Sequence, residues 1–178
     1  MNCNDKVKLI EIDKCKDVVL KNLVSLYLHD LSEFADDIKM NNEGKYEYGG
    51  IDYYFSEKEL IPYLIYDDDE VAGFILFNTG KYAGGGQVNC SIHELFVAKS
   101  FRSRGIATRA VRRLLEMHKG IYRVEQLEKN KLAISFWKRF YDKNKINYDE
   151  KDEVIDGLNC FVQIFSNQIQ ENRTVKKL

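Results

Sequence analysis

The stretch from residue 87 to residue 118 changes its hydrophobic period once, and that change constrains everything around it. Ser91-Ile92-His93-Glu94-Leu95-Phe96-Val97 closes a β-rich run that starts near Gln87. Arg102-Ser103-Arg104-Gly105-Ile106-Ala107-Thr108 breaks it and opens a helix over 108–118. Ala107, Val111, Leu114, Leu115 and His118 then recur at helical spacing, with Arg109, Arg112 and Arg113 outward. The order is strand, cationic glycine turn, helix. A helix's first turn leaves backbone N–H groups unpaired at the positive end of its dipole, so an anion can dock there. Gly105 and Ala107 leave room for a phosphate, Gly105 tolerates unusual backbone angles, and Arg102 and Arg104 add charge. A pyrophosphate fits such a turn.

The flanking chain alternates between the two periods. A short strand is expected over 8–12. Leu20, Leu23, Val24, Tyr27, Leu28 and Leu31 form one stripe, which predicts a helix over 17–31. The segment 32–59 is polar, acidic and tyrosine-rich, with Gly49-Gly50 in its middle, and reads as a short helix plus a loop. Runs 62–66 and 71–78 form a hairpin around Asp67-Asp68-Asp69-Glu70. Gly84-Gly85-Gly86 lacks a following Lys-Ser/Thr and leads into a strand, so it reads as a turn and not a phosphate loop. A strand over 121–126, a helix over 130–141 carrying Ala133, Phe136, Trp137, Phe140 and Tyr141, and a hairpin at Asp156-Gly157 leading into a strand over 158–165 complete the pattern. One mixed α/β domain over 1–166 is expected, with a polar tail over 167–178 that frays.

Composition narrows the function. The 178 residues carry 27 Lys and Arg against 28 Asp and Glu, and a net charge of −1 argues against nucleic-acid binding by bulk electrostatics. The charge is unevenly spread: 13 acidic and 3 basic residues lie over 29–70, and 13 basic and 4 acidic over 99–143. One region could favour a cationic ligand and the other an anionic one, or both could be solvated faces. No apolar run approaches the ~20 residues of a membrane span, and the charged start of the chain lacks a signal peptide's apolar stretch, so a cytoplasmic protein without a membrane partner is expected. Cys3, Cys15, Cys90 and Cys160 are scattered and read as free thiols; with His29, His93 and His118 equally dispersed, no metal site is indicated.

Arg102-x-x-Gly105-x-Ala107, placed after the Glu94-Leu95-Phe96-Val97 strand, resembles the acetyl-CoA pyrophosphate signature of the GNAT superfamily of N-acetyltransferases. Asn130-Lys131-Leu132-Ala133-Ile134-Ser135-Phe136-Trp137 resembles that family's later Asn-x-x-Ala-x-x-Phe/Leu-Tyr motif, and Asn22, Tyr27, Asp30, Phe34 and Gly73-Phe74 are similar to a bacterial subgroup of predicted acetyltransferases. The resemblance spans roughly residues 8 to 166. It implies a curved mixed sheet of about 6 to 7 strands flanked by about 4 helices, with the fourth and fifth strands splayed around the pantetheine arm. It implies acetyl-CoA as cosubstrate, pyrophosphate held by Arg102, Ser103, Arg104, Gly105, Ile106, Ala107 and Thr108, and pantetheine held by the backbone of Leu95, Phe96 and Val97 and by Asn130, with Trp137 lining the site. Asn130 could equally be a helix N-cap.

The implied reaction is direct attack of an amine on the thioester, without an acyl-enzyme and without Cys90 as nucleophile. An ammonium of pKa about 10.4 must first lose a proton. Glu94 is the candidate base, since alternation sets it opposite Leu95 and Val97, while His93 would point the other way; a surface carboxylate or a structural hydrogen bond is the other reading. Trp137 stands where relatives carry the tyrosine that protonates the leaving thiolate. Tyr141, one turn on, could substitute, or no acid is needed, because a thiol of pKa about 8.5 leaves readily as thiolate; core packing is the other role for both. The acceptor, a small-molecule or peptide amine, would meet Glu33, Asp36, Asp37, Tyr53 and Tyr54, with Tyr46 nearby. A monomer or homodimer is expected. The competing reading is an acyl-CoA-binding module without turnover.

Overall fold

The computed structural model describes residues 6–168. Seven strands form one sheet: β1 (Val7–Glu11), β2 (Leu60–Asp67), β3 (Glu70–Thr79), β4 (Cys90–Val97), β5 (Ile121–Leu127), β6 (Tyr148–Ile155) and β7 (Leu158–Ser166). Their order is β1-β2-β3-β4-β5-β7-β6. Only β4 and β5 run parallel; every other neighbour pair is antiparallel. Three α-helices accompany them, α1 (Asp17–Leu31), α2 (Ile106–Met117) and α3 (Lys131–Asn144). The expected tail lies, beyond residue 168, outside the described residues, as does Cys3.

The sheet has a helix layer on each face. On one, Leu20, Val24 and Leu28 of α1 pack with Leu64, Phe74, Leu76 and Phe96. On the other, Ile106, Ala110, Val111 and Leu114 of α2 and Trp137, Phe140 and Tyr141 of α3 pack with Ile65, Ile75, Phe77, Ile92, Tyr122, Val124 and Phe165. The α1 stripe falls as its spacing predicts, and each fully buried aliphatic there contributes about 1.5 to 3 kcal/mol. On α2 the buried set differs slightly: Ile106 and Ala110 are buried, whereas Ala107 and His118 are only partly so.

Two expectations for the elements are corrected. The short helix within 32–59 is a 3-10 helix, Ile51–Phe55, entered through Gly50 at φ 88°, so the described residues hold three α-helices where about four helices are expected. The strand expected from residue 87 begins at Cys90, after the glycine-rich turn. The Asp156-Gly157 hairpin forms as predicted, both residues being left-handed (φ 50° and 80°), which matches the twist of the flanking strands.

The decisive feature is where β4 leaves β5. Their ladder holds only Cys90↔Tyr122, Ser91↔Arg123 and Ile92↔Val124, although β4 continues to Val97 and β5 to Leu127. On the other side of β4, Phe77 pairs with Ile92 and Leu76 with Glu94, so His93 is an extra residue in a β-bulge. A bulge bends and twists its strand, and here it sits where the parallel ladder stops. The splayed pair follows. β3 tracks the bent strand closely, because a Cβ on Gly73 would stand 2.0 Å from the Phe96 carbonyl oxygen.

Candidate active site

The turn between β4 and α2 presents amides toward an anion. Gly105 caps α2 in the left-handed region (φ 74°) with no side-chain cap, and Ser103, two residues earlier, is also left-handed (φ 63°). Alternating handedness of this kind turns successive N–H groups into one concavity. The first intrahelical donor is Arg109, whose N–H reaches the Gly105 carbonyl at 3.1 Å; the amides of Ile106, Ala107 and Thr108 precede it and are unspent. No acidic residue sits in the first turn. The Ile106 side chain is buried, so only its amide can meet a ligand. Arg104 is exposed over Phe101, and Arg109 Nη1 donates to the Arg104 carbonyl at 2.9 Å, which stiffens the loop.

Arg102 is placed differently from the other turn residues. Its Nε donates to the Val97 carbonyl (2.7 Å) and its Nη2 to Asp30 Oδ2 on α1 (2.6 Å), with the guanidinium over Phe96. The two bonds use two of the five N–H donors, and the side chain is 40% exposed. The structure thus makes Arg102 a brace between α1 and the end of β4, with Arg104 a second exposed cation of the turn.

Backbone direction along β4 decides what faces the gap. The Ala98 N–H bonds to the Ala72 carbonyl at 2.8 Å, so by antiparallel alternation Phe96 and Glu94 also turn their backbone toward β3. Leu95 and Val97 turn theirs toward β5. Of the three residues expected to offer backbone bonds in the slot, Phe96 is therefore corrected: its N–H and C=O are spent within the sheet, and its side chain packs under α1.

Glu94 does lie opposite Leu95 and Val97, on the α1 face. The Tyr27 phenol of α1 donates a hydrogen bond to Glu94 Oε2, and Tyr48 lies 3.4 Å from Oε1. Tyr48 is also 2.8 Å from Nε2 of exposed His93, so the bulge brings His93 to the same tyrosine instead of pointing it away. Burial raises the Glu94 carboxyl above the ordinary range, partly offset by His93 and by the hydrogen bonds from Tyr27 and Tyr48. Burial, with Glu94 beside them, pushes the Tyr27 and Tyr48 phenols far up, so both remain donors. Neither tyrosine is among the site residues that the sequence singles out; Tyr27 falls in the packing stripe of α1 and among the residues similar to the bacterial subgroup, and a phenol among leucines is the local signal that sets it apart.

The acceptor candidates divide. Glu33, Asp36 and Asp37 are exposed just past the end of α1 that carries Tyr27 and Asp30, and Tyr53 is 63% exposed. Tyr54 is corrected: it is buried and its hydroxyl donates to Asn78 Oδ1 at 2.6 Å, so it cannot stack on a ligand. On α3, Asn130 accepts from the Ala133 N–H at 3.0 Å, as an N-cap does, and Trp137 is buried among Phe136, Phe140 and Tyr141. Tyr141 is not brought to Glu94. Its ring lies 4.4 Å from Tyr148 and 5.2 Å from Phe165, over the closed end of the β4–β5 pair, because α3 runs back from the open end. Cys90 is buried, and burial raises its thiol above the ordinary value.

The family model described as "Acetyltransferase (GNAT) family" matches residues 23–141. The chain belongs to this family of acetyltransferases, whose cosubstrate is acetyl-CoA. Among solved structures it is similar to a GNAT-family acetyltransferase from Streptococcus agalactiae (16% identity, TM-score 0.65, covering 92% of this chain and 98% of that one). It is also similar to yncA of Salmonella typhimurium, solved with its cofactor acetyl-CoA (10% identity, TM-score 0.60, 94% and 97%). NAA60 of Arabidopsis thaliana, in complex with a bisubstrate analogue, is a third (13% identity, TM-score 0.54, 90% and 98%). No curated protein matches the chain by sequence at a significant level. Among the described residues, no helix is long and apolar enough to cross a membrane.

Proposed function

We propose that this chain transfers an acetyl group from acetyl-CoA to an amine by direct attack, with Glu94 as the base. One observation carries the reading: a partly buried carboxylate, its acidity weakened by burial, is held by two tyrosines at the edge of a gap lined by unspent amides. The residues fit the cosubstrate. Ser103 to Thr108 form an anion-binding concavity at the N-terminus of α2, and the backbone of Leu95 and Val97 faces the gap beside it.

Acetyl-CoA supplies the activated acyl carbon. The turn lies on the α2 face of the sheet and Glu94 on the α1 face, so the acceptor enters from the side opposite the cosubstrate. Glu94 takes one proton from the incoming ammonium, and Tyr48, touching both Glu94 and exposed His93, offers that proton a way to solvent. As the N–C bond forms and the C–S bond breaks, a backbone N–H of β4 that faces the gap stabilises the developing oxyanion. The amine's second proton ends on the departing sulfur. No residue need deliver it, which agrees with Tyr141 lying elsewhere.

Glu33, Asp36, Asp37 and Tyr53 favour a cationic small-molecule or peptide amine. Peptide amines are a reasonable first class to try, since the NatC complex similar to this chain was solved bound to Gag peptide and CoA. The test is thiol release from acetyl-CoA with a panel of amines and peptides, beside CoA binding by calorimetry. Release with at least one cationic amine is expected. Binding without release on every amine would favour a CoA-binding module, and no binding by folded wild type, or equal binding by Gly105→Glu, would overturn the reading.

A further inference from the structure

Gln126 is the least explained polar side chain in the described residues. It is 4% exposed, and neither its Oε1 nor its Nε2 has a hydrogen-bond partner among the described residues. Buried amides without partners are rare and costly, and each calls for a reason. Its position supplies one. Gln126 stands on β5 two residues beyond Val124, the last residue of the parallel ladder, and so on the open stretch bordering the gap.

Strand alternation places Gln126 on the same face as Tyr122 and Val124, which pack with α2 and α3. Continuing the parallel register brings it opposite Glu94 of β4, and the next residue, Leu95, shares its face. That face also carries the N-terminus of α2, where the anion-binding turn sits. The side chain is neutral, with one acceptor and two donor hydrogens. A phosphate would use only the donors and an ammonium only the acceptor. Two successive trans secondary amides can turn the N–H of one and the C=O of the other to the same side, and such a pair satisfies both ends at once.

We propose that Gln126 is a cosubstrate-positioning residue that pairs with the pantetheine arm, Oε1 accepting from the N–H of one of its two amides and Nε2 donating to the carbonyl of the other. The assignment rests on the acetyl-CoA reading above and deepens it. It explains why an amide that the apolar layer under α3 would otherwise exclude is kept there: it is satisfied by ligand and not by protein.

The test compares two ligands on wild type, Gln126→Leu and Gln126→Met: CoA, and adenosine 3′-phosphate 5′-diphosphate, which keeps the phosphates and lacks pantetheine. Calorimetry should show CoA binding weakened about tenfold in both variants and the diphosphate within twofold of wild type. The thermal midpoint of the ligand-free variants should be equal to or above wild type, since an unpaired amide is replaced by apolar atoms. Unchanged CoA affinity in folded variants, equal loss of both ligands, or a marked fall in the ligand-free midpoint would each overturn the proposal. Failure of wild type to bind CoA would instead sink the acetyl-CoA reading, so the two failures are told apart.

Discussion

The Tyr27 phenol, on the helix covering one face of the sheet, donates a hydrogen bond to the Glu94 carboxylate on β4, 67 residues away. The bond fixes the carboxylate at the edge of the gap and, with Tyr48, offsets part of the rise that burial imposes on its acidity. Glu94→Gln should keep CoA affinity within about twofold and lower kcat by roughly 10²- to 10⁴-fold, the usual worth of a positioned base. Steady-state kinetics beside calorimetry on the same preparation checks it.

The pH profile has a sign. Because Glu94 titrates above the ordinary carboxyl range, kcat/KM should rise with pH as the group ionises, with its acid limb above the usual position near 4.3. Tyr48→Phe removes a hydrogen bond that favours the charged carboxylate, so its acid limb should move to higher pH, with kcat retained at the plateau within about tenfold. A limb that stays in place would separate Tyr48 from Glu94.

Asp30 holds both Arg102 and Lys99, at 2.6 and 3.3 Å. Burial alone would raise its carboxyl, but the hydrogen bonds from Arg102 and Lys99 outweigh it, and the net shift is downward. A carboxyl lowered on folding contributes stability that is present above its unfolded value, near 3.9, and is lost as pH falls through the lower folded value. Asp30→Asn should therefore cost up to about 1 kcal/mol at neutral pH, the usual limit for solvent-screened pairs, and flatten the acid side of the stability profile. Denaturant melts between pH 2 and 7 on both proteins, with limits chosen from those carboxyl values, measure the difference.

Arg102→Ala and Arg104→Ala should part company. Arg102 closes the brace between Asp30 and the Val97 carbonyl, so its loss should lower the thermal midpoint, whereas Arg104→Ala should leave the midpoint alone and weaken CoA binding. Phosphate contributions of this kind fade with salt, so the Arg104 effect should shrink from 50 to 300 mM NaCl, a range spanning the Debye screening regime.

Tyr141 is the control. Its hydroxyl is buried without a hydrogen-bond partner among the described residues and burial drives its acidity far down, so Tyr141→Phe should keep kcat within about twofold and leave stability equal or higher. A large fall in kcat with unchanged melting would return the proton-donor role to it.

Much of this molecule was legible in the residues. The α1 stripe, the Asp156-Gly157 turn and the glycine turn before α2 are local signals, each set by side chains within a few positions of one another, and the folded chain keeps them. The direction of Glu94 also followed, because strand alternation is local.

What tertiary structure alone decided is which partners meet. Arg102 faces Asp30 across 72 residues and is a brace, while Tyr27, read as one more member of a packing stripe, becomes the anchor of Glu94. One extra residue, His93, sets where β4 parts from β5 and turns His93 toward Tyr48, and no periodicity announces a single-residue bulge. The return path of α3 carries Tyr141 to the closed end of the sheet. Periodicity is a property of neighbours along the chain, whereas these relationships depend on register and on the course of distant elements, which only the packed core determines.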